Sequence, residues 1–265
     1  NVKPCFQTSS AWERSPLPWA FDLPMIRTLM PLAAPLFPGD LERMEAISSH
    51  RGRDIVTRAL VAAAATFFTQ LEMDNSRSFW QSNRAVYDQE IRPSFAAIID
   101  GIAGFAGWRI YRPHNDTRFQ SNKGPYKTFI GAVAERDDGV GVFVQLSKRG
   151  FLIGTGMPMP APDQLSKLRA AIAAEDAGTA FVDAVSRVQQ TGSVVHGGRW
   201  EALKRVPKPF DSKHSRGEYL CWKGVEVNYR LRTVEWSEYA EASAAIATYI
   251  SQAEPLHAWL ATHVG

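Results

Sequence analysis

The sequence predicts an α+β fold: an antiparallel sheet with helices packed on it, forming a single main domain. Three observations carry that expectation. Helical periodicity fills the stretch from about Ile55 to Ile102. Strand-like segments then follow one another between Phe129 and Met157 with only short turn-like connections. Helical periodicity returns after Pro162. Strands joined by tight loops pair antiparallel, whereas a doubly wound sheet needs a crossover, normally a helix, between parallel neighbours. The domain is expected over 54–265, preceded by a proline-rich arm at 1–53.

The arm is read from Pro4, Pro16, Pro18, Pro24, Pro31, Pro35 and Pro38, because proline denies both helix and central strand. A first helix is expected over Ile55–Leu71, ending at the turn-forming Asp74-Asn75-Ser76. A second runs from about Ser78 to Ile102, with Phe79, Tyr87, Ile91, Phe95 and Ile98 at helical spacing. Pro93 should kink it or restart it. Strands are expected at Phe129–Glu135, Val140–Ser147 and Phe151–Met157, with Lys148-Arg149-Gly150 as a hairpin loop. Helices follow at Pro162–Ala174 and Thr179–Gln190, then a glycine-broken connection at Gly192–Gly198. Val225–Leu231 alternates as a strand. Trp236, Tyr239, Ser243, Ile246 and Ile250 share one face of a penultimate helix, and Leu256–Val264 is a short last one.

The chain of 265 residues is 45% hydrophobic and 22% charged, the composition of a globular domain with a full core. A formal net charge of +3 is too small to imply nucleic-acid binding from the total alone. The two cysteines, Cys5 and Cys221, form neither a metal-type pair nor a disulfide framework, so a reducing cytoplasm is the expected setting and no metal site is expected. The apolar run from Ala59 to Phe68 is too short to span a bilayer and reads as a buried helix. No membrane partner is expected. Cofactor and oligomeric state are left open.

Charge is distributed in blocks. Arg109, Arg112, Arg118, Lys123 and Lys127 crowd into one stretch with Asp116 as its only acid. Five cations so close together repel, and a fold that gathers them needs an anion, ordered carboxylates or open solvent. Tyr111, Phe119 and Tyr126 interleave as stacking surfaces. The alternative is an ion-pair network in which Asp116 bridges arginines and the lysines are solvated. A second basic block runs from Arg199 to Arg232 and contains Lys204, Lys208, Asp211 and His214. Asp211 and His214 are spaced as an oriented base or as an ordinary proline-marked loop. His114, beside Asn115 and Asp116, carries the same two readings. The two blocks are expected to meet on one face. The glycine-rich GFLIGTGM at Gly150–Met157 lacks phosphate-loop and dinucleotide spacing and fits a strand whose backbone comes close to another group.

Several of these pieces together resemble the domain of unknown function 2461 family, a group of conserved hypothetical bacterial proteins. They are F-F-x-x-L-x-x-x-N-S-R-x-F-W from Phe67 to Trp80, R-P-H-N-D-T-R-F from Arg112 to Phe119, and K-G-P-Y-K-T from Lys123 to Thr128. G-x-G-M from Gly154, L-K-R-x-P-K-x-F-D from Leu203, and W-L-A-x-H-V-G at the end agree with them. The resemblance covers roughly Asp54 to Gly265 and implies a single soluble α+β unit, without implying an activity. The chain departs from the family pattern at Asn115, Asn122, Phe129 and Pro209.

Three functions compete on these grounds. The first is a binding module for an anionic, phosphate-bearing small molecule or nucleic acid, using Arg109, Arg112, Asp116, Arg118, Lys123, Lys127, Lys204, Lys208 and His214. The second is an enzyme on such a substrate, with His114 or His214 and Asp116 or Asp211 as acid and base. The third is a protein-interaction module with a basic face. A concave site holding a perturbed carboxylate favours the enzyme.

Overall fold

The computed structural model describes residues 60–115, 124–136, 139–231 and 239–265. The expected arm, the start of the first helix, Asp116, Arg118, Lys123 and the Trp236 end of the penultimate helix lie outside those residues.

Helix α1 covers 60–73 and buries Leu60, Ala64, Phe67, Phe68 and Leu71, the stripe its apolar spacing dictates. Ser76 caps α2 (Arg77–Val86) by accepting the Phe79 N–H at 3.1 Å. The long second helix does not simply kink at Pro93. It widens into a π-helical turn at Tyr87–Ile91 before α3 (Arg92–Asp100), whose first turn contains Pro93. A proline inside a helix has no N–H to give and crowds the carbonyl four residues back, so the ladder is rearranged one turn upstream. The widened turn buries Tyr87 and Ile91, and burial pushes the Tyr87 hydroxyl pKa up to about 12.

The sheet is six-stranded and antiparallel throughout. Its strands are β1 (Arg109–Ile110), β2 (Phe129–Glu135), β3 (Gly141–Ser147), β4 (Gly150–Met157), β5 (Val194–His196) and β6 (Val225–Leu231), in the order β1-β2-β3-β4-β6-β5. The α+β class therefore stands. Two strands correct the sequence reading. The connection at Gly192–Gly198 contains β5, and Arg109–Ile110 forms an edge strand. Strands of two or three residues have no period to read; they exist because a neighbour offers them hydrogen bonds.

On one face of the sheet Ile130, Ala132, Val144, Leu146, Phe151 and Ile153 are buried beneath helices. There Phe95 of α3 stacks on Phe151 with ring centroids 6.4 Å apart. Tyr249 of α7 (Tyr239–Gln252) meets Tyr229 at 5.2 Å. Helix α4 spans Pro162–Ala173. Helix α5 begins at Glu175, a turn earlier than expected, because Glu175 and Asp176 suit the positive end of a helix, and it runs to Gln190. It packs on α8 (Glu254–His263) through Phe181 and Trp259, and the Trp259 indole donates to the Ala177 carbonyl at 2.8 Å. The short α6 covers Gly217–Leu220. Each such buried aromatic or aliphatic side chain contributes about 1.5–3 kcal/mol. No described helix is long and apolar enough to cross a membrane.

Candidate functional site

The register assigns the other face of the sheet. Antiparallel partners present their side chains on the same side. One cross-strand row therefore reads Arg109, Val133, Phe143, Gly154, Asn228, Val194. The adjacent row reads Glu135, Gly141, Gly156, Glu226, His196. The first row begins with Arg109 and carries Asn228 on β6, the second ends in Glu135 and His196, and both have glycines near their middle. A sheet surface without side chains at its centre is a hollow, and here it forms a cleft of about 560 Å³ whose lining includes Arg109, Tyr111, Phe143, Gly154 and Glu226.

Aromatic rings flank the floor on the β1 side. Tyr111 and Phe143 lie 5.9 Å apart, and Phe129 meets Phe143 edge-on at 6.5 Å. Gly131 leaves them room, since a Cβ there would come within 2.9 Å of the Phe143 ring. Arg109 is exposed and makes no ion pair among the described residues.

The opposite wall is a polar cluster on β5 and β6. The His196 Nδ1 lies 3.1 Å from the Gly198 carbonyl, and its Nε2 lies 2.6 Å from Asn228 Nδ2. A carbonyl only accepts, so Nδ1–H donates to it and Nε2 accepts from the amide N–H; this tautomer follows from the partners. Glu226 Oε2 stands 3.7 Å from the same Nε2, and the Glu226 side chain keeps 18% of its exposure. Burial pushes its carboxyl above the usual carboxylate range, while His196 and Arg199 pull the other way. Glu226 and Asn228 both lean over Gly154. A Cβ on that glycine would meet Glu226 Oε1 at 2.8 Å and Asn228 Oδ1 at 3.0 Å. Two acceptor oxygens therefore converge above the bare backbone of β4.

Beneath the floor, Thr155 Oγ1 donates to the Gly141 carbonyl at 3.1 Å and lies 2.9 Å from Nε2 of the fully buried His257. Glu254 stands 3.4 Å from the other ring nitrogen of His257 and 3.6 Å from Arg136. Among the described residues no three His, Cys, Asp or Glu side chains form a metal-type group.

Of the residues singled out in the sequence, Arg109 lines the cleft. Arg112 is exposed beside it in the chain. The Lys127 ammonium donates to the Arg112 and His114 carbonyls, which ties the two ends of the basic loop together. Lys204 and Lys208 are exposed on the connection between β5 and α6. His214 accepts the Arg216 N–H at 3.0 Å through Nδ1, and its Nε2 lies 3.3 Å from the Ala173 carbonyl. Arg216 itself donates to the carbonyls of Ile172, Ala173 and Ala174, so both side chains close the C-terminal end of α4. Asp211 accepts the Lys213 N–H at 2.9 Å. The first basic block follows β1 and the second follows β5. These are opposite edges of the sheet, about 24 Å apart at five strand spacings.

His196, Glu226 and Asn228 carry the polar wall and were not singled out in the sequence. Their signal was the polar set Glu226, Asn228 and Arg230 at alternate positions of a strand whose other positions are apolar. The glycines of GFLIGTGM did indicate a close approach, and the approaching groups are Glu226 and Asn228.

The motif pieces also come together. Asn75 bonds the backbone of Tyr126, the Trp80 and Tyr126 rings stack at 4.5 Å, and Asn115 donates to the carbonyls of Gly124 and Tyr126. No curated protein and no solved structure matches the chain. The model of one family matches residues 63–259, from within α1 to Trp259 of α8, and so spans both this anchored loop and the whole sheet. The chain belongs to that family, described as conserved hypothetical protein (DUF2461).

Proposed function

We propose that this protein binds a small anionic molecule, bearing a phosphate or a carboxylate, in the cleft on the open face of the sheet. The observation that carries the proposal is the position of Arg109 at the head of a cross-strand row whose centre is glycine. Arg109 lines the hollow and has no carboxylate partner among the described residues. Guanidinium groups bind phosphate and carboxylate in a two-pronged geometry. Tyr111 and Phe143 supply an apolar flank for a ring or chain, as small-molecule sites commonly do. Arg112, Lys127, Lys204 and Lys208 raise the surrounding positive potential from outside the lining. The absence of cysteine pairing in the sequence fits a bacterial cytoplasm as the place where this happens.

The test is a calorimetric titration of benzylphosphonate and benzoate into wild type and Arg109→Ala at low and moderate salt. Binding by wild type, weakened about ten-fold or more by the substitution and by salt, is expected. Equal binding by both proteins would remove Arg109 from the site.

A second function is favoured by Glu226 and His196, a cleft-lining carboxyl with raised pKa 3.7 Å from an imidazole. The pair has the composition of an acid–base couple, so the bound anion would be a substrate. Turnover lost in Glu226→Gln at saturating substrate would distinguish an enzyme from a binding protein.

A further inference from the structure

The two walls of the cleft are chemically unlike. Arg109 on β1 and Glu135 on β2 line one side, Glu226 on β6 lines the other, and Asn228 Oδ1 joins Glu226 Oε1 over Gly154. Neither oxygen receives a hydrogen bond from any described residue. The Asn228 amide nitrogen is already engaged with His196, which holds its oxygen turned toward Gly154. A simple anion lying over Gly154 would face these two oxygens. A group that carries N–H donors, above all a protonated amine, would bond both.

We infer that the ligand of this cleft is zwitterionic: an acidic group at Arg109 and an amino group held by Glu226 and Asn228 over Gly154. This rests on the cleft being the anion site described above and deepens it by fixing the class of ligand. Glycine at 154 is what permits it, because a side chain there would occupy the place of the amine. The three strand spacings from β1 to β4 are about 14 Å, and the reach of the Arg109 side chain shortens the gap, so the ligand is a compact molecule with its charges at opposite ends. Phe143 stands between these ends in the same row and offers its ring to the middle of the ligand. An amine beside Glu226 also compensates a carboxylate that burial otherwise disfavours. The charged groups around Glu226 are His196 on β5 and Arg199 after it, with Arg109 and Glu135 lining the cleft from β1 and β2.

Three probes sharing one ring test this: benzylphosphonate, benzylamine and (aminomethyl)benzylphosphonate, titrated into the whole chain and into Glu226→Gln and Arg109→Ala. The zwitterion is expected to bind wild type about ten-fold or more tighter than benzylphosphonate. Glu226→Gln should remove that advantage, so that the two acids bind the variant within about two-fold of each other, while Arg109→Ala weakens both acids. A thermal melt of each variant establishes that it is folded. Benzylphosphonate binding with no gain from the amino group, or a gain that survives Glu226→Gln, would overturn the zwitterion inference and leave the anion site standing. No binding of either acid to wild type would overturn both.

Discussion

The side-chain amide of Asn75 exchanges two hydrogen bonds with the backbone of Tyr126, Nδ2 to the carbonyl and the N–H to Oδ1, each 2.9 Å long. Fifty-one positions separate the two residues, and this pairing fastens the turn between α1 and α2 to the loop that leads into β2. Gly124 lies directly against the Asn75 side chain, with no room for a Cβ. The basic loop is thus held by the amides of Asn75 and Asn115 as well as by the Lys127 ammonium.

Replacing Asn75 by alanine should lower stability by about 1–3 kcal/mol, since both Tyr126 backbone groups lose their partner. Asn75→Asp should be at least as harmful at neutral pH, because an oxygen would then face the Tyr126 carbonyl. Part of that loss should return when the new carboxyl is protonated at low pH. Chemical denaturation of the three proteins at pH 7 and pH 4 checks this, and an unchanged midpoint for Asn75→Ala would contradict it.

Two glycines of β4 should behave differently. At Gly154 an added methyl meets only the ends of Glu226 and Asn228, which can swing away. Gly154→Ala should therefore change stability by less than about 1 kcal/mol and reduce (aminomethyl)benzylphosphonate affinity by occupying the place of the amine. Gly156 has φ +123° and a Cβ there would stand 2.5 Å from the Val225 carbonyl oxygen. Gly156→Ala should cost about 1–3 kcal/mol or more through backbone strain. Equal melting shifts for the two variants would show that the floor is not shaped as described.

Thr155 links the sheet to α8. Its hydroxyl gives its proton to Gly141 and so accepts from His257 Nε2–H. Thr155→Val keeps the shape but takes away that acceptor inside the core, and a loss of about 1–3 kcal/mol is expected. Thr155→Ser should lose less. Because the hydroxyl lies on the helix side, ligand affinity should not change in either variant, which separates this contact from the cleft chemistry.

Glu226 should make stability depend on pH. Its carboxyl is raised above the ordinary value in the folded protein, chiefly by burial. The folded state therefore holds the proton more tightly than the unfolded one. The resulting stabilisation is fully present below the unfolded pKa, near 4.5, and is lost as pH rises through the higher folded value. Glu226→Gln cannot titrate and should flatten this dependence, with a small gain in melting temperature at pH 7 relative to wild type. The comparison of wild type and variant across that interval checks the sign; a steeper fall in the variant would reverse it.

The long regular elements were legible because each has its own period. The helical stripes of 60–73 and of α3, and the alternation of β3 and β6, are consequences of burying one face, and burial is written residue by residue. The α+β class followed from strands too close together for crossovers. The basic stretch was visible as composition, and Arg109 within it does line the cleft. What composition could not say is which neighbour each cation meets: Lys127 holds carbonyls of its own loop, and Arg216 and His214 close a helix end. Nor could it reveal β5, which exists only because β6 pairs with it. The polar wall depends on that pairing, since His196 and Glu226 come from strands thirty positions apart and meet only through register. Local sequence determines which face a side chain takes. Only the order of strands decides which side chains share it.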